Sequence, residues 1–332
     1  MITVDELWQY PVKSMQGQQV EQLTFSPGGA VGDRAYGFVD VATDRLVSAK
    51  HPVRYGAMLE CHAAFVKPPI AGEPAPAVRV TFPDGETIEG DTDAIAARVS
   101  ELLGRKVLMV TGVKPGVAYE EIWPEMEGFG PDEFYRLLEV APSHDDTSGE
   151  RIVALTPGMA AGGSLLDFAS LHILARPSLT GLAALHPDGQ WVARRFRPNI
   201  LFDVSDPAAA LAGPSEVENE WIGHELVGTS GTRLAVTAHT PRCVMTTLAQ
   251  PGLERDPKIL QTAAQGNRQP VASLGLFACT GAYAEVVTPG VLRRGEVIEV
   301  AADNIATASA LAAVVTEIES LLAAAGRTGP KS

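Results

Sequence analysis

The chain has 332 residues, of which 45% are hydrophobic and 20% charged, enough apolar material to bury the cores of two domains. Its formal net charge of −14 repels phosphate backbones and excludes general nucleic-acid binding, which needs a basic face. No apolar run approaches the roughly 20 residues that span a bilayer, and MITVDELWQYPVKS lacks the basic and apolar blocks of a signal peptide, so the reading is cytoplasmic, with no membrane partner.

In chain order, ITVDELWQYPV, QVEQLTF, YGFVDV and DRLVSA read as short strands separated by the turn-forming stretches SPGGAVGD and ATD. AVRVTF and ETIEG add two more, and DTDAIAARVSELLG predicts a helix capped by Asp91 or Thr92 and stopped at Gly104. Residues 1–111 therefore read as a β-rich unit with one helix, which the resemblance described below makes β-barrel-like. Between 112 and 150 the chain turns acidic and aromatic, broken by Pro and Gly, and reads as a linker or lid.

From 151 to 301 strands resume at RIVAL, NILFDV, ELVGT, TRLAVTA, LFAC, YAEVV and EVIEV, with LHILARPSLTGLAALH inserted as a helix. The pattern predicts a second β-barrel rather than alternating βαβ units, so the fold class is mainly β with some α. A last helix over 302–326 starts at Asp303 and stops at Gly326, with Ile305, Leu311, Val314, Ile318 and Leu321 on one stripe.

The cysteines, Cys61, Cys243 and Cys279, are odd in number and widely spaced, offering neither a disulfide framework nor a CxxC pair. Cys61 and His62 are adjacent, so on a strand they point to opposite faces and do not share a metal. Cys279, in LFACTGAY, reads as buried or as a second thiol near a site. Cys243 is different: it follows the strand TRLAVTA in HTPRCVMTT, where Pro241 cannot donate to a sheet ladder and ends it. A thiol at such a rim can meet a ligand, and Arg242 favours its thiolate, the form that bonds soft metals. Against this stands the ordinary reading of a lone cysteine as a packed core residue.

Basic residues stand out against the acidic background: Lys13, Arg34 and the run Arg194, Arg195, Arg197 suggest an anion pocket, or else surface charges paired with acids. His51, His172 and His239 are candidate proton carriers. There is no HExxH, P-loop, Rossmann glycine signature or GxSxG elbow.

Read together, Tyr10-Pro11-Val12-Lys13-Ser14, Gly32-Asp33-Arg34, Arg195-Phe196-Arg197-Pro198-Asn199 and Pro241-Arg242-Cys243 resemble, in order, the signature segments of MOSC domain proteins that carry an N-terminal MOSC β-barrel domain. The likeness continues through Thr246-Thr247, Asp256-Pro257, the stretch from Gly281 to Val286 and the stretch from Pro289 to Glu296. This group includes the mitochondrial amidoxime reducing component and its bacterial relatives. The resemblance implies a molybdenum–molybdopterin cofactor with Cys243 as the metal ligand and catalytic residue. It implies that Lys13, Ser14 and Arg34 hold the phosphate and pterin from the N-terminal side, and Arg197, Asn199, Thr240, Arg242 and Tyr283 from the barrel. A doubly charged phosphate and a polar pterin need charge-assisted donors of this kind.

Relatives often carry a small residue or cysteine where this chain has Met15, a change at the pocket wall. The implied function is an oxidoreductase that reduces small N-hydroxylated compounds such as amidoximes. No iron–sulfur cysteine motif is present, so electrons would come from an external ferredoxin, flavoprotein or cytochrome-type donor. The alternatives are a cofactor carrier or sulfur-handling protein without reductase activity, and a barrel that has lost its cofactor.

Overall fold

A computed structural model describes residues 1–113, 117–140, 151–155, 165–205 and 217–301, together with Thr316. The expected helix over 302–326 lies outside the described residues, Thr316 apart. The fold is mainly β with some α, as the strand pattern predicts. Its centre is a closed barrel of seven strands: β1 (Ile2–Gln9), β2 (Leu171–Ala175), β3 (Ile200–Val204), β4 (Glu225–Gly228), β5 (Arg233–Pro241), β6 (Leu276–Thr288) and β7 (Val297–Val300). Their order is β2-β3-β1-β7-β4-β5-β6, and pairing of β6 with β2 closes the ring.

Strand β1 belongs to this barrel although sequence reading assigns 1–111 to the first unit. It pairs with β3 and β7, burying Val4 and Leu7 beside Ile200, Phe202 and Ile298. Those two buried residues are three apart, which strict alternation forbids. A bulge between Val4 and Glu6 restores the inward face.

The stretch LHILARPSLTGLAALH is not one helix. Leu171–Ala175 is a strand buried at every position, and the helix α1 (Arg176–Leu185) begins only afterwards, with a proline in its first turn. A fully buried strand lacks the two-residue alternation, so its apolar run reads equally well as helix. Strands β2 and β3 run parallel, with Ile173 opposite Ile200, so one βαβ unit exists where none was expected. LFAC and YAEVV, read as two strands, are the single strand β6.

The N-terminal unit contains two three-stranded antiparallel sheets and the helix Thr92–Leu103, which buries Ile95, Ala96 and Val99. Asp91 is its cap: the carboxylate accepts from the Ala94 N–H at 2.9 Å, and Gly104 ends it in the left-handed region at φ 61°. Asp91→Ala is expected to cost about 1 kcal/mol. Urea unfolding checks this, and an unchanged midpoint would mean that solvent satisfies the helix start equally well.

The described part of the acidic aromatic stretch is a packed wall rather than a free linker. Tyr119–Ile122 pairs antiparallel with Ile152–Leu155, and Trp123, Phe129, Phe134 and Tyr135 are buried in one cluster with Phe277 of β6. Aromatic burial outweighs the polarity of the surrounding carboxylates. No helix among the described residues is long and apolar enough to cross a membrane.

Candidate cofactor site

Two loops strapped together form the N-terminal wall of a cleft. Lys13 N–H donates to the Tyr36 carbonyl at 2.8 Å, Tyr36 N–H to Pro11 at 3.0 Å, and Arg34 N–H to Tyr10 at 2.6 Å. This lacing forces unusual backbone: Ser14 and Arg34 have φ of 68° and 46°. Arg197, at the C-terminal end of the short helix Ala193–Phe196, has φ 59°. Among the described residues only Asp44 joins these three as a non-glycine with positive φ. Such conformations cost energy and gather where function fixes a side chain's direction.

Tyr10 links the two walls. The Arg34 and Arg197 guanidinium carbons sit 4.5 and 4.4 Å from its ring centroid in a cation–π arrangement, and Arg34 is also ion-paired with the buried Asp33 carboxylate. Arg197 also donates to the Met15 carbonyl at 2.6 Å. Burial, with Arg34 adding to it, pulls the Arg197 pKa down to about 10.

From the barrel side, Asn199 accepts the His172 N–H through Oδ1 at 3.1 Å. Arg242 donates to the Phe196 carbonyl at 2.8 Å and lies 3.3 Å from His172 Nε2. Burial and the Arg242 charge hold the His172 pKa well below its usual value, so the ring is neutral, with Nε2 between the Arg242 guanidinium and the Thr280 carbonyl at 3.3 Å each. Strand β5 ends at Pro241, and Cys243 follows in extended backbone, half-buried, at the start of the turn Val244–Thr247.

All the residues expected to hold the cofactor, Lys13, Ser14, Arg34, Arg197, Asn199, Thr240, Arg242, Cys243 and Tyr283, line this one cleft, whose volume is about 120 Å³. A single water needs roughly 10–15 Å³. Three buried polar atoms on this wall have no partner: Asn199 Nδ2, Thr240 Oγ1 and Arg242 Nε. Unpaired buried donors cost free energy, and a polar group entering the cleft would satisfy them. The donor set is thus one of cations, amide and hydroxyl around a thiol, which fits an anionic pterin cofactor.

Sequence reading missed two residues of the site. Lys50 and Asp167 both line the cleft. Lys13 Nζ lies 2.5 Å from Asp167 Oδ1 and donates to the Leu165 carbonyl at 2.8 Å, while Lys50 Nζ is 3.2 Å from Asp167 and 3.1 Å from Glu121. Burial alone would raise the Asp167 pKa, but Lys13 and Lys50 outweigh it and hold the carboxylate well below the usual range. Burial works against the charge on Lys50, yet Asp167 and Glu121 prevail and keep it protonated. These contacts join positions up to 154 apart in sequence, and no local pattern announces them.

Other expectations are corrected. Burial pushes the Cys243 thiol up and Glu121 adds to this, while Lys50 and Arg242 pull the other way without prevailing. Arg242 alone therefore does not make a thiolate, although bonding to a metal cation would. Arg194 reaches the surface carbonyl of Pro251, and Arg195 spends its guanidinium on backbone carbonyls. Of the three histidines only His172 borders the cleft; His239 binds Asn219 instead. Met15 packs into the N-terminal core rather than at the pocket wall, whereas Cys61, in the same core, and Cys279, in the aromatic cluster, are buried as expected. Among the described residues no three His, Cys, Asp or Glu side chains group to hold a metal.

Gly281 makes this packing possible. Its φ is 81°, and a Cβ there would sit 2.4 Å from His172 Nε2 and 2.6 Å from the Ile173 carbonyl. Gly281→Ala is expected to cost roughly 1–3 kcal/mol and to displace the His172–Arg242 contact. Thermal melting tests the first effect, and an unshifted Tm would contradict the close approach.

Residues 163–299 match the family model of the MOSC domain, and residues 1–106 that of the MOSC N-terminal beta barrel domain. No curated protein matches the chain. Among solved structures, the YUAD protein from Bacillus subtilis is 11% identical with a TM-score of 0.41, covering 90% of this chain and 96% of its own. The YiiM protein from Geobacillus stearothermophilus is 13% identical with a TM-score of 0.28, over 54% of this chain and 80% of its own. A hypothetical protein of solved structure is 14% identical with a TM-score of 0.30, over 50% and 71%.

Proposed function

The chain belongs to the MOSC domain family and carries that family's N-terminal barrel domain, and on this premise we propose that it is a molybdenum-cofactor-dependent oxidoreductase reducing N-hydroxylated compounds. The observation that carries the reading is the convergence in one cleft of six cations, Lys13, Arg34, Lys50, Arg195, Arg197 and Arg242, with the unpartnered Asn199 Nδ2, Thr240 Oγ1 and Arg242 Nε and the Cys243 thiol. Asp167 is the lone carboxylate in the described lining, so the cleft favours an anion.

Lys13, Ser14 and Arg34 would hold the cofactor's phosphate and pterin from one side. Arg197, Asn199, Thr240, Arg242 and Tyr283 would hold it from the other, with Cys243 as the protein's metal ligand. When bound, the molybdenum centre would supply two-electron redox chemistry next to Cys243. In the net reaction an amidoxime takes up two electrons and two protons; its N–O bond breaks, giving an amidine and water. Lys50, kept protonated between Asp167 and Glu121, stands beside Cys243 as a fixed positive charge and hydrogen-bond donor. His172 keeps Arg242 in place. On this reading a ferredoxin, flavoprotein or cytochrome-type partner supplies the electrons.

The test is molybdenum and pterin analysis of the purified protein, followed by reduction of an amidoxime with a chemical electron donor. Near-stoichiometric molybdenum with turnover is expected. Bound cofactor without turnover across a set of N-hydroxylated compounds would point instead to a carrier, and absence of both molybdenum and pterin would overturn the reading.

A further inference from the structure

Tyr10 follows directly on β1 and is fully buried, and it is not among the described residues that line the cleft. Its ring is nevertheless fixed from several sides. The Tyr10 N–H donates to Asp33 Oδ1 at 3.0 Å, Trp8 stacks on the ring at 6.2 Å and 15°, and a Cβ at Gly17 would lie only 2.5 Å from Tyr10 Cδ1. The hydroxyl, in contrast, is buried without a hydrogen-bond partner. A buried hydroxyl left unpaired costs free energy, so whatever this side chain contributes comes from its aromatic face.

That face meets two like charges. The Arg34 and Arg197 guanidinium carbons both lie within 4.5 Å of the ring centroid, and Arg34 Nη2 lies 3.4 Å from the Arg197 carbonyl. Asp33 offsets Arg34, but among the described residues no carboxylate pairs with Arg197, which is only 9% exposed. Like charges this close repel, and the electron-rich ring is the group that both of them touch. Long arginine side chains lose much conformational freedom when held in one place, so a ligand that had to gather them on entry would bind more weakly. A ring that holds both beforehand removes that cost. The doubly charged phosphate expected of the cofactor matches such a pair, because each guanidinium offers it a planar fork of donors.

We propose that Tyr10 is a positioning residue of the cofactor site: its ring face holds the Arg34 and Arg197 guanidiniums as a preformed pair for the cofactor's phosphate, and its hydroxyl takes no part. For the identity of the ligand this rests on the cofactor reading. Trp8 and Gly17 serve the same end by leaving the ring little freedom to turn.

The experiment compares the unaltered chain with Tyr10→Phe, Tyr10→Leu and a trifluorinated phenylalanine at position 10, which keeps the ring's shape and weakens its face. Two readouts are taken. One is the pterin retained through gel filtration by protein made in pterin-producing cells; the other is the affinity for inorganic phosphate of protein made in cells that lack the pterin. Tyr10→Phe should hold pterin and bind phosphate within about twofold of the unaltered protein, since the aromatic face is kept. The trifluorinated ring should weaken phosphate binding by about fivefold and Tyr10→Leu by about tenfold or more, with pterin retention falling in the same order. A ring that merely packs would make the trifluorinated protein equal to the phenylalanine one, and that equality, or tighter phosphate binding, overturns the proposal. Loss of binding in Tyr10→Phe also overturns it, by giving the role to the hydroxyl. If Tyr10→Leu fails to fold, the fluorinated ring decides alone. The two readings fail separately: pterin retained with a flat series removes the role of Tyr10 and leaves the cofactor, and phosphate binding in the expected order without pterin does the reverse. An unaltered protein that binds neither overturns both.

Discussion

Cys243→Ala is expected to abolish amidoxime reduction, lowering the rate by on the order of a thousandfold or more, and to release molybdenum while the fold persists. The thiol stands just past the end of β5, where Pro241 closes the ladder opposite Cys279, and its side chain faces the cleft rather than a core. Removing one half-buried sulfur from a rim loses little packing, about 1 kcal/mol or less. Metal binding is another matter, because a soft metal bonds a thiolate and alanine offers nothing in its place. Circular dichroism, molybdenum content and turnover of the variant separate these effects. A variant that kept full metal content and activity would reduce Cys243 to a bystander, and one that unfolded would make its role structural.

Arg195→Met is expected to cost about 3–5 kcal/mol of stability. Arg195 is only 1% exposed and heads the large fully buried side chains among the described residues. Its guanidinium donates to four carbonyls, those of Gln190 at 3.2 Å, Thr246 at 3.1 Å, Leu248 at 3.2 Å and Glu254 at 3.1 Å. Three of those carbonyls, of Thr246, Leu248 and Glu254, belong to the turn after Cys243 and the loop beyond it, so this arginine staples the segment that presents the thiol. Methionine preserves much of the volume, so the loss reports the abandoned acceptors rather than a cavity. Lysine would rescue little, since a single ammonium cannot span four acceptors in a fork. Urea unfolding of both variants checks this; a change below about 1 kcal/mol would mean that water takes over the carbonyls.

The contrast between Arg195 and Arg197 shows where sequence reading stops. Both sit in the run ARRFRPN, and local composition treats them alike. The short helix Ala193–Phe196 turns Arg195 inward to the loop, and the left-handed residue after it turns Arg197 to Tyr10 and the cleft. That two-residue difference in direction depends on a backbone conformation that no propensity predicts for arginine.

What the sequence does carry are signals that act locally. Asp91 and Gly104 bracket their helix because a cap and a left-handed stop need only neighbours. Pro241 ends a strand for a similar reason. The motif segments around Lys13, Arg34, Arg197 and Cys243 likewise meet in one place. Lys50, Asp167 and Glu121 escape notice because their ion pairs form only once distant strands come together. The aromatic stretch after Tyr119 misleads because its acidic composition suggests solvent while its rings find partners on β6. In the same way the buried strand Leu171–Ala175 hides inside a helical pattern.

Molybdenum-edge X-ray absorption of the cofactor-loaded protein bears most directly on whether the Cys243 sulfur binds the metal. A sulfur ligand beyond those of the pterin should be present in the unaltered protein and absent from Cys243→Ser. An identical sulfur shell in both would contradict the account.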